Sequence, residues 1–243
     1  MSETRRVAQC PAFVLHRRPY RETSLIVDLF TRDHGRVAVV ARGGRGPRSS
    51  FRGALEPFQP LLAGWVARSE LGTLTAAERA GTLGQPAGED VFSAFYINEL
   101  VLRLLRKEDP HPALFDAYRA TLVTIAGGEA IERALRLFEK QLLEDLGYGL
   151  NTAVDVTTGE TVSASESYVY HLESGPEPAQ GSAYKSSGGE LVLPGASLLS
   201  LHEERLDDAD SLRDAKRLLR AALALYLDGR PLKVREVARA MRR

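Results

Sequence analysis

The period of the apolar residues changes near residue 90, so the two sides of that point require different architectures. Before it, Val7 to Leu15, Ser24 to Thr31, Arg36 to Ala41, Pro57 to Val66 and Gly72 to Ala77 are short β-branched or aromatic runs, with Asp33-His34-Gly35 as a turn signal between the second and third. After it, Phe92, Tyr96, Leu100 and Leu104 recur at helical spacing. So do Leu114, Tyr118, Leu122 and Ile125, and then Ile131, Leu135, Phe138, Leu142 and Leu146. Pro110 and Pro112 part the first helix from the second, Gly127-Gly128 the second from the third, and Gly147 stands where a C-terminal cap belongs. Three helices are expected, and the simplest packing makes their apolar faces each other's core.

Five short strands in this length predict a small closed or nearly closed barrel. An OB-type barrel fits the pattern, and so does an SH3-like one. Residues 151–200 are rich in Ser, Thr and Gly, with strand-like pieces at Ser167 to Leu172 and Glu190 to Leu193, and read as a loop-rich subdomain. Asp210 is the expected N-cap of a strong helix that buries Leu212, Ala215, Leu219, Ala222 and Tyr226. A final short helix is expected from Pro231. The fold class is therefore α+β and multidomain: a barrel in residues 1–80, a helical domain in 81–150, a small irregular subdomain in 151–210, and basic helices in 211–243 that pack on the helical domain.

Charge is neutral in total and segregated along the chain. Residues 1–80 hold 13 arginines against 7 acids, residues 81–210 hold 9 basic against 22 acidic residues, and residues 211–243 hold 10 basic against 3. The stretch "VVARGGRGPRSSFRGALEPF" gathers Arg42, Arg45, Arg48 and Arg52 on what reads as the loop after the third strand. Arg213, Lys216, Arg217 and Arg220 repeat the concentration along one face of the C-terminal helix. Solubility alone accounts for exposed arginines, and a solvated face accounts for the helix stripe. A polyanion partner accounts for both, because it turns the mutual repulsion of like charges into attraction.

Little in the chain calls for catalysis. His16, His34, His111, His171 and His202 lie far apart and show no metal-ligand spacing. No glycine precedes a lysine, so there is no phosphate loop of the Gly-Lys-Ser/Thr type, and no G-x-S-x-G elbow is present. Cys10 is the only cysteine, which excludes an intramolecular disulfide and a cysteine-based zinc site. No secretion signal or membrane-spanning run is read from the sequence, so a cytoplasmic protein without enzymatic activity, cofactor, metal or membrane partner is expected.

The segments "AFVLHRRPYRETSLIVDLFTRDHGRVAVVARGGRG", "RGALEPFQPLL", "YINELVLRLL", "ALRLFEKQLLEDLGYGLN" and "LRDAKRLLRAALALYLDGRPLKVRE" follow one another through nearly the whole chain. Together they resemble the bacterial recombination and repair mediator family RecO. The resemblance implies an N-terminal OB-fold, a central helical domain and a small C-terminal subdomain. It implies binding of single- and double-stranded DNA, annealing of complementary strands and, with RecR, loading of RecA on DNA coated by single-stranded DNA-binding protein (SSB). It also implies a cytoplasmic, nucleoid-associated location. The expected DNA contacts are Arg36, Arg42, Arg45, Arg48, Arg52, Arg213, Lys216, Arg217 and Arg220, with Tyr20 and Phe51 as aromatic candidates for stacking on bases. The resemblance further implies that the acidic SSB C-terminal tail docks on Leu135, Arg136, Phe138 and Leu142, with Arg136 taking the terminal carboxylate. One departure is plain: many members carry four zinc-binding cysteines in the C-terminal subdomain, and residues 151–200 here contain none. The alternative reading is a non-catalytic adaptor that assembles protein complexes without touching DNA.

Overall fold

In the computed structural model, which describes residues 4–46, 49–51, 53–179, 191–227 and 230–241, the 16-residue strand β1 (Arg5–Tyr20) closes a barrel by pairing on both edges. It runs antiparallel to β2 (Ser24–Thr31) on one side and to β4 (Pro60–Ala67) on the other. β3 (Gly35–Ala41) and β5 (Leu71–Arg79) complete the order β1-β2-β3-β5-β4, with β3 and β5 parallel. This is the five-stranded OB-fold topology. Register shifts in β1 between Val7 and Cys10 and between Val14 and His16 let one strand bend around the closure. The β2–β3 hairpin turns at Gly35 with φ +62°, where a side-chain carbon would run into the backbone of Asp109.

β1 is buried on both faces. Cys10, Ala12 and Val14 join Val27, Leu29, Val39, Leu61 and Trp65 in the barrel core. Phe13 and Phe30, paired directly across β1 and β2, belong to the opposite face and are equally closed from solvent. Their cover is α2 (Pro112–Gly127), whose Phe115 and Tyr118 meet both rings at centroid distances of 5.1 to 5.6 Å. Such aromatic pairs contribute about 0.5–1.5 kcal/mol each beyond their area. α1 (Asp90–Leu104) packs on β1 as well, with Asn98 Nδ2 donating to the Leu15 carbonyl at 2.9 Å.

α2 thus lays Phe115 and Tyr118 on the barrel, and α1 packs on β1 as well as on α2, so the three expected helices do not form a core of their own. The cause lies in β1 and β2: an apolar outer face on a barrel strand demands a helix over it. The chain divides accordingly into two compact units, residues 1–131 with 231–243, and residues 132–230. In the first unit, α6 (Lys233–Met241) returns to α1. The Glu99 carboxylate accepts from the backbone N–H groups of Lys233 and Val234 at 2.9 and 3.0 Å, and so caps a helix distant in sequence. That helix begins two residues later than the expected start at Pro231.

The second unit holds α3 (Ile131–Asp145) from Glu132 onward, an antiparallel sheet ordered β7-β6-β8, and two further helices. The sheet consists of β6 (Ser167–His171), β7 (Gly175–Pro178) and β8 (Leu191–Pro194). Glu190, the expected start of the last strand, lies outside the described residues. α3 ends as expected at Gly147 (φ +81°), with Gly147 N donating to Glu144 O and Tyr148 N to Leu143 O. α4 (Gly195–His202) is tied to α5 (Ala209–Tyr226) by Ser197 Oγ, which donates to Asp214 Oδ2 at 2.9 Å. The N-cap of α5 is Asp208 rather than Asp210: its carboxylate accepts from the N–H groups of Asp210 and Ser211, and hydrogen bonds from Ser211 hold its pKa below the usual carboxylate range.

Residues 151–162 are held by side-chain hydrogen bonds. Asn151 accepts from Val154 N and donates to Val154 O, and Asp155 accepts from Thr157 N and Thr158 Oγ1. Burial alone would raise the Asp155 pKa, but these donors outweigh it and keep the carboxylate ionised. Such a donor set does not suit zinc: no thiolate is present, and the carboxylate is already saturated by the turn it organises.

Candidate nucleic-acid interface

At one end of the barrel, three connections that are distant in sequence meet around an open groove of about 510 Å³. The β1–β2 turn contributes Tyr20, Arg21, Thr23 and Ser24, the end of β3 contributes Val40, Arg42 and Gly43, and β5 begins it on the far side with Leu71, Gly72 and Thr73. OB-folds bind oligonucleotides beside these connections. The turn after β3 is fastened to the β1–β2 turn through Arg45, whose backbone N–H donates to Thr23 O at 2.9 Å and whose guanidinium donates to Glu22 O at 3.3 Å. Gly44 N donates to Ala41 O and Gly46 N to Gly43 O, so this stretch is a run of tight turns, the conformation its glycines permit.

Some cations of the barrel are paired with acids and some are not. Arg5, Arg17, Arg32 and Lys107 face Glu108, Glu56, Asp116 and Glu70, at 2.7, 2.9, 3.3 and 2.9 Å. Arg21, Arg42, Arg45 and Arg68 are exposed and, among the described residues, face no carboxylate. Arg21 and Arg42 line the groove itself, Arg45 lies in the turn beside it, and Arg68 is in the β4–β5 connection. Positive charge is therefore available at the groove, as it is at Arg6 and Arg18 on β1, which are exposed and likewise face no carboxylate among the described residues.

Of the expected DNA contacts, Arg42 and Arg45 come together at the groove. Arg48 and Arg52 lie outside the described residues. Arg36 sits at the other end of β3, about 20 Å along the strand from Arg42 at the usual rise per residue. There its carbonyl accepts from Glu108 N, and its half-buried side chain leaves Nε without a hydrogen-bond partner. Of the aromatic candidates, Tyr20 lines the groove. Phe51 is 8% exposed and belongs to the barrel core, which removes it as a stacking platform.

In the second unit, the basic stripe of α5 is largely neutralised. Arg213 reaches Asp210 at 2.7 Å, Lys216 reaches Glu132 at 2.5 Å and Arg217 reaches Asp214 at 3.3 Å, while Arg220 contributes to holding the Glu132 carboxylate below its usual pKa, after Lys216. On α3, Arg136 is 3% exposed and forms a bidentate pair with Glu139 at 2.6 and 2.7 Å. Phe138 and Leu142 are equally buried, and Leu135 is the one partly accessible member of the expected peptide site. Sequence reasoning missed Arg21 and Leu71. Arg21 owes its place to a three-residue turn, in which it takes φ +53°, and Leu71 to the parallel pairing of β5 with β3. Neither is a local signal.

Among the described residues no helix is long and apolar enough to cross a membrane, and no group of three or more His, Cys, Asp or Glu side chains converges as a metal site. The family model for the recombination protein O N-terminal domain matches residues 1–82, and that for its C-terminal domain matches residues 86–236. A DNA repair protein RecO from Alkalilimnicola ehrlichii is 50% identical over 98% of this chain and 93% of its own length. One from Methylococcus capsulatus is 45% identical over 94% and 92%, and one from Aromatoleum aromaticum is 42% identical over 99% of each. With both of its halves matched and these relatives spanned nearly end to end, the chain belongs to the RecO family.

Proposed function

We propose that this protein acts in DNA repair as a recombination mediator, which binds single- and double-stranded DNA, anneals complementary strands and, with RecR, helps load RecA on SSB-coated single strands. The observation that carries the reading is the groove: exposed Arg21 and Arg42 face it with no carboxylate partner among the described residues, on an OB-fold in a chain whose relatives are named DNA repair proteins. Guanidinium groups there pair with phosphates at the cost of side-chain entropy alone. The α5 stripe is the proposed second DNA face. Its cations must exchange carboxylates for phosphates, so it is assigned the weaker role. Because the two basic regions belong to separate compact units, each is testable by itself.

The acidic SSB tail is the proposed protein ligand, received on α3 around Leu135, Arg136, Phe138 and Leu142. For Arg136 to take a terminal carboxylate, it has to share or leave Glu139, which makes this the most demanding element of the reading.

The test is fluorescence anisotropy of labelled single-stranded DNA across a salt series. Affinity that falls with salt, with a slope of about −0.7 for each phosphate neutralised, supports the mediator. Negligible affinity at physiological salt rejects it in favour of a protein–protein adaptor.

A further inference from the structure

The groove contains more than phosphate-binding groups. Tyr20 lines it, with the Arg21 guanidinium lying 5.2 Å from the centre of the Tyr20 ring. Leu71, 40% exposed, forms an apolar wall at the start of β5, and Thr23 and Thr73 add hydroxyl groups. A binding site for phosphate alone has no use for an aromatic ring and an exposed leucine. A duplex has no use for them either, since its base faces are already stacked on one another.

Resting on the nucleic-acid reading of this groove, we propose that it is a subsite for one unpaired nucleobase, stacked on Tyr20 against the Leu71 wall, with Arg21 and Arg42 on the flanking phosphates. The geometry accommodates the base with one small movement. A stacked base needs roughly 3.4 Å on each face, the rise per base of a strand, so a guanidinium 5.2 Å from the ring centre either opens slightly to sandwich the base or leaves the ring for a phosphate. Either movement is within the reach of an exposed arginine side chain. Arg21 is also held at φ +53°, a backbone conformation a non-glycine residue rarely adopts, and this fixes where its side chain departs from the turn. The subsite gives this end of the barrel a preference for single strands that charge alone does not supply.

The test uses the full chain and three labelled ligands of equal length: a deoxythymidine oligomer, an abasic oligomer with the same phosphates, and a blunt duplex. Tyr20→Ala and Tyr20→Leu are expected to weaken binding to the thymidine oligomer by about 5- to 150-fold, the range for removing one base–aromatic stack. They are expected to leave the abasic oligomer and the duplex unchanged, and Tyr20→Phe is expected to bind like the parent. Equal binding of the thymidine oligomer by parent and Tyr20→Leu overturns the subsite while leaving DNA binding by the groove intact. An equal loss on all three ligands also overturns it, since a missing stack cannot weaken an abasic chain. No binding of any ligand by the parent removes the groove reading, and the subsite with it.

Discussion

The Tyr118 hydroxyl donates to Asn98 Oδ1 across 2.6 Å, and Asn98 in turn donates to the carbonyl of Leu15, so one buried chain of hydrogen bonds joins α2, α1 and β1. Tyr118→Phe strips Asn98 of a donor without changing shape, and is expected to destabilise the first unit by about 1–3 kcal/mol in urea unfolding. Burial also pushes the Tyr118 pKa upward. Above the ordinary tyrosine value of about 10, the unfolded chain releases this proton while the folded chain retains it, so stability falls as pH rises. The variant is expected to flatten that alkaline loss, read as the pH dependence of the unfolding midpoint.

The groove and the far end of β3 are expected to separate in DNA binding. Arg42→Ala with Arg45→Ala should make the salt slope shallower by about 1.4, two single-strand contacts' worth. Arg36→Ala, at the other end of the strand, should leave the slope unchanged. Equal effects of the two changes would place the phosphate contacts along the whole of β3.

Arg136 and Glu139 are expected to behave as a unit. Either one changed alone to alanine removes the bidentate partner of a buried charge and should cost about 3–5 kcal/mol, whereas Arg136→Met with Glu139→Leu should lie close to the parent. Chemical denaturation of the four proteins gives the coupling directly. The double variant is also the sound background for titrating an acidic SSB-tail peptide, because loss of peptide binding there is not loss of fold.

Glu99→Ala removes the acceptor for Lys233 N and Val234 N. Amide hydrogen exchange across 233–241 is expected to accelerate well before global stability changes, since the loss of a helix cap is worth about 0.5–2 kcal/mol. Glu99→Gln, which keeps one acceptor oxygen, should fall between.

The five strands, the capping glycine at Gly147 and the arginine-rich turn were legible because each is written locally, in alternation, in a glycine or in a run of charge. What escaped the sequence depended on partners distant along the chain. The outer face of β1 gave no hint that Phe13 would draw α2 onto the barrel, because a strand buried on both faces loses its alternation. Arg36 and Arg42 read alike as cations near one strand, and only the strand's length sets them apart. The α5 stripe read as bare charge in part because Glu132, the partner of Lys216, is 84 positions away, although Arg213 and Arg217 pair with Asp210 and Asp214 one turn back along the same helix. Tyr20 was legible as an aromatic beside arginines, while Phe51, in similar company, folds inward: a one-letter context does not record which way a loop turns.

Trp65 is the chain's only tryptophan, and it lies within the barrel at 1% exposure with the His34 ring edge-on at 5.3 Å. Its emission therefore reports on one of the two compact units and is silent about the other, whereas far-ultraviolet ellipticity draws on the helices of both. The molecule carries a built-in optical label for the unit that holds the barrel: on heating, a fluorescence transition offset from the ellipticity transition would mean that the units melt as separate cooperative bodies, and coincident transitions would mean that they melt as one.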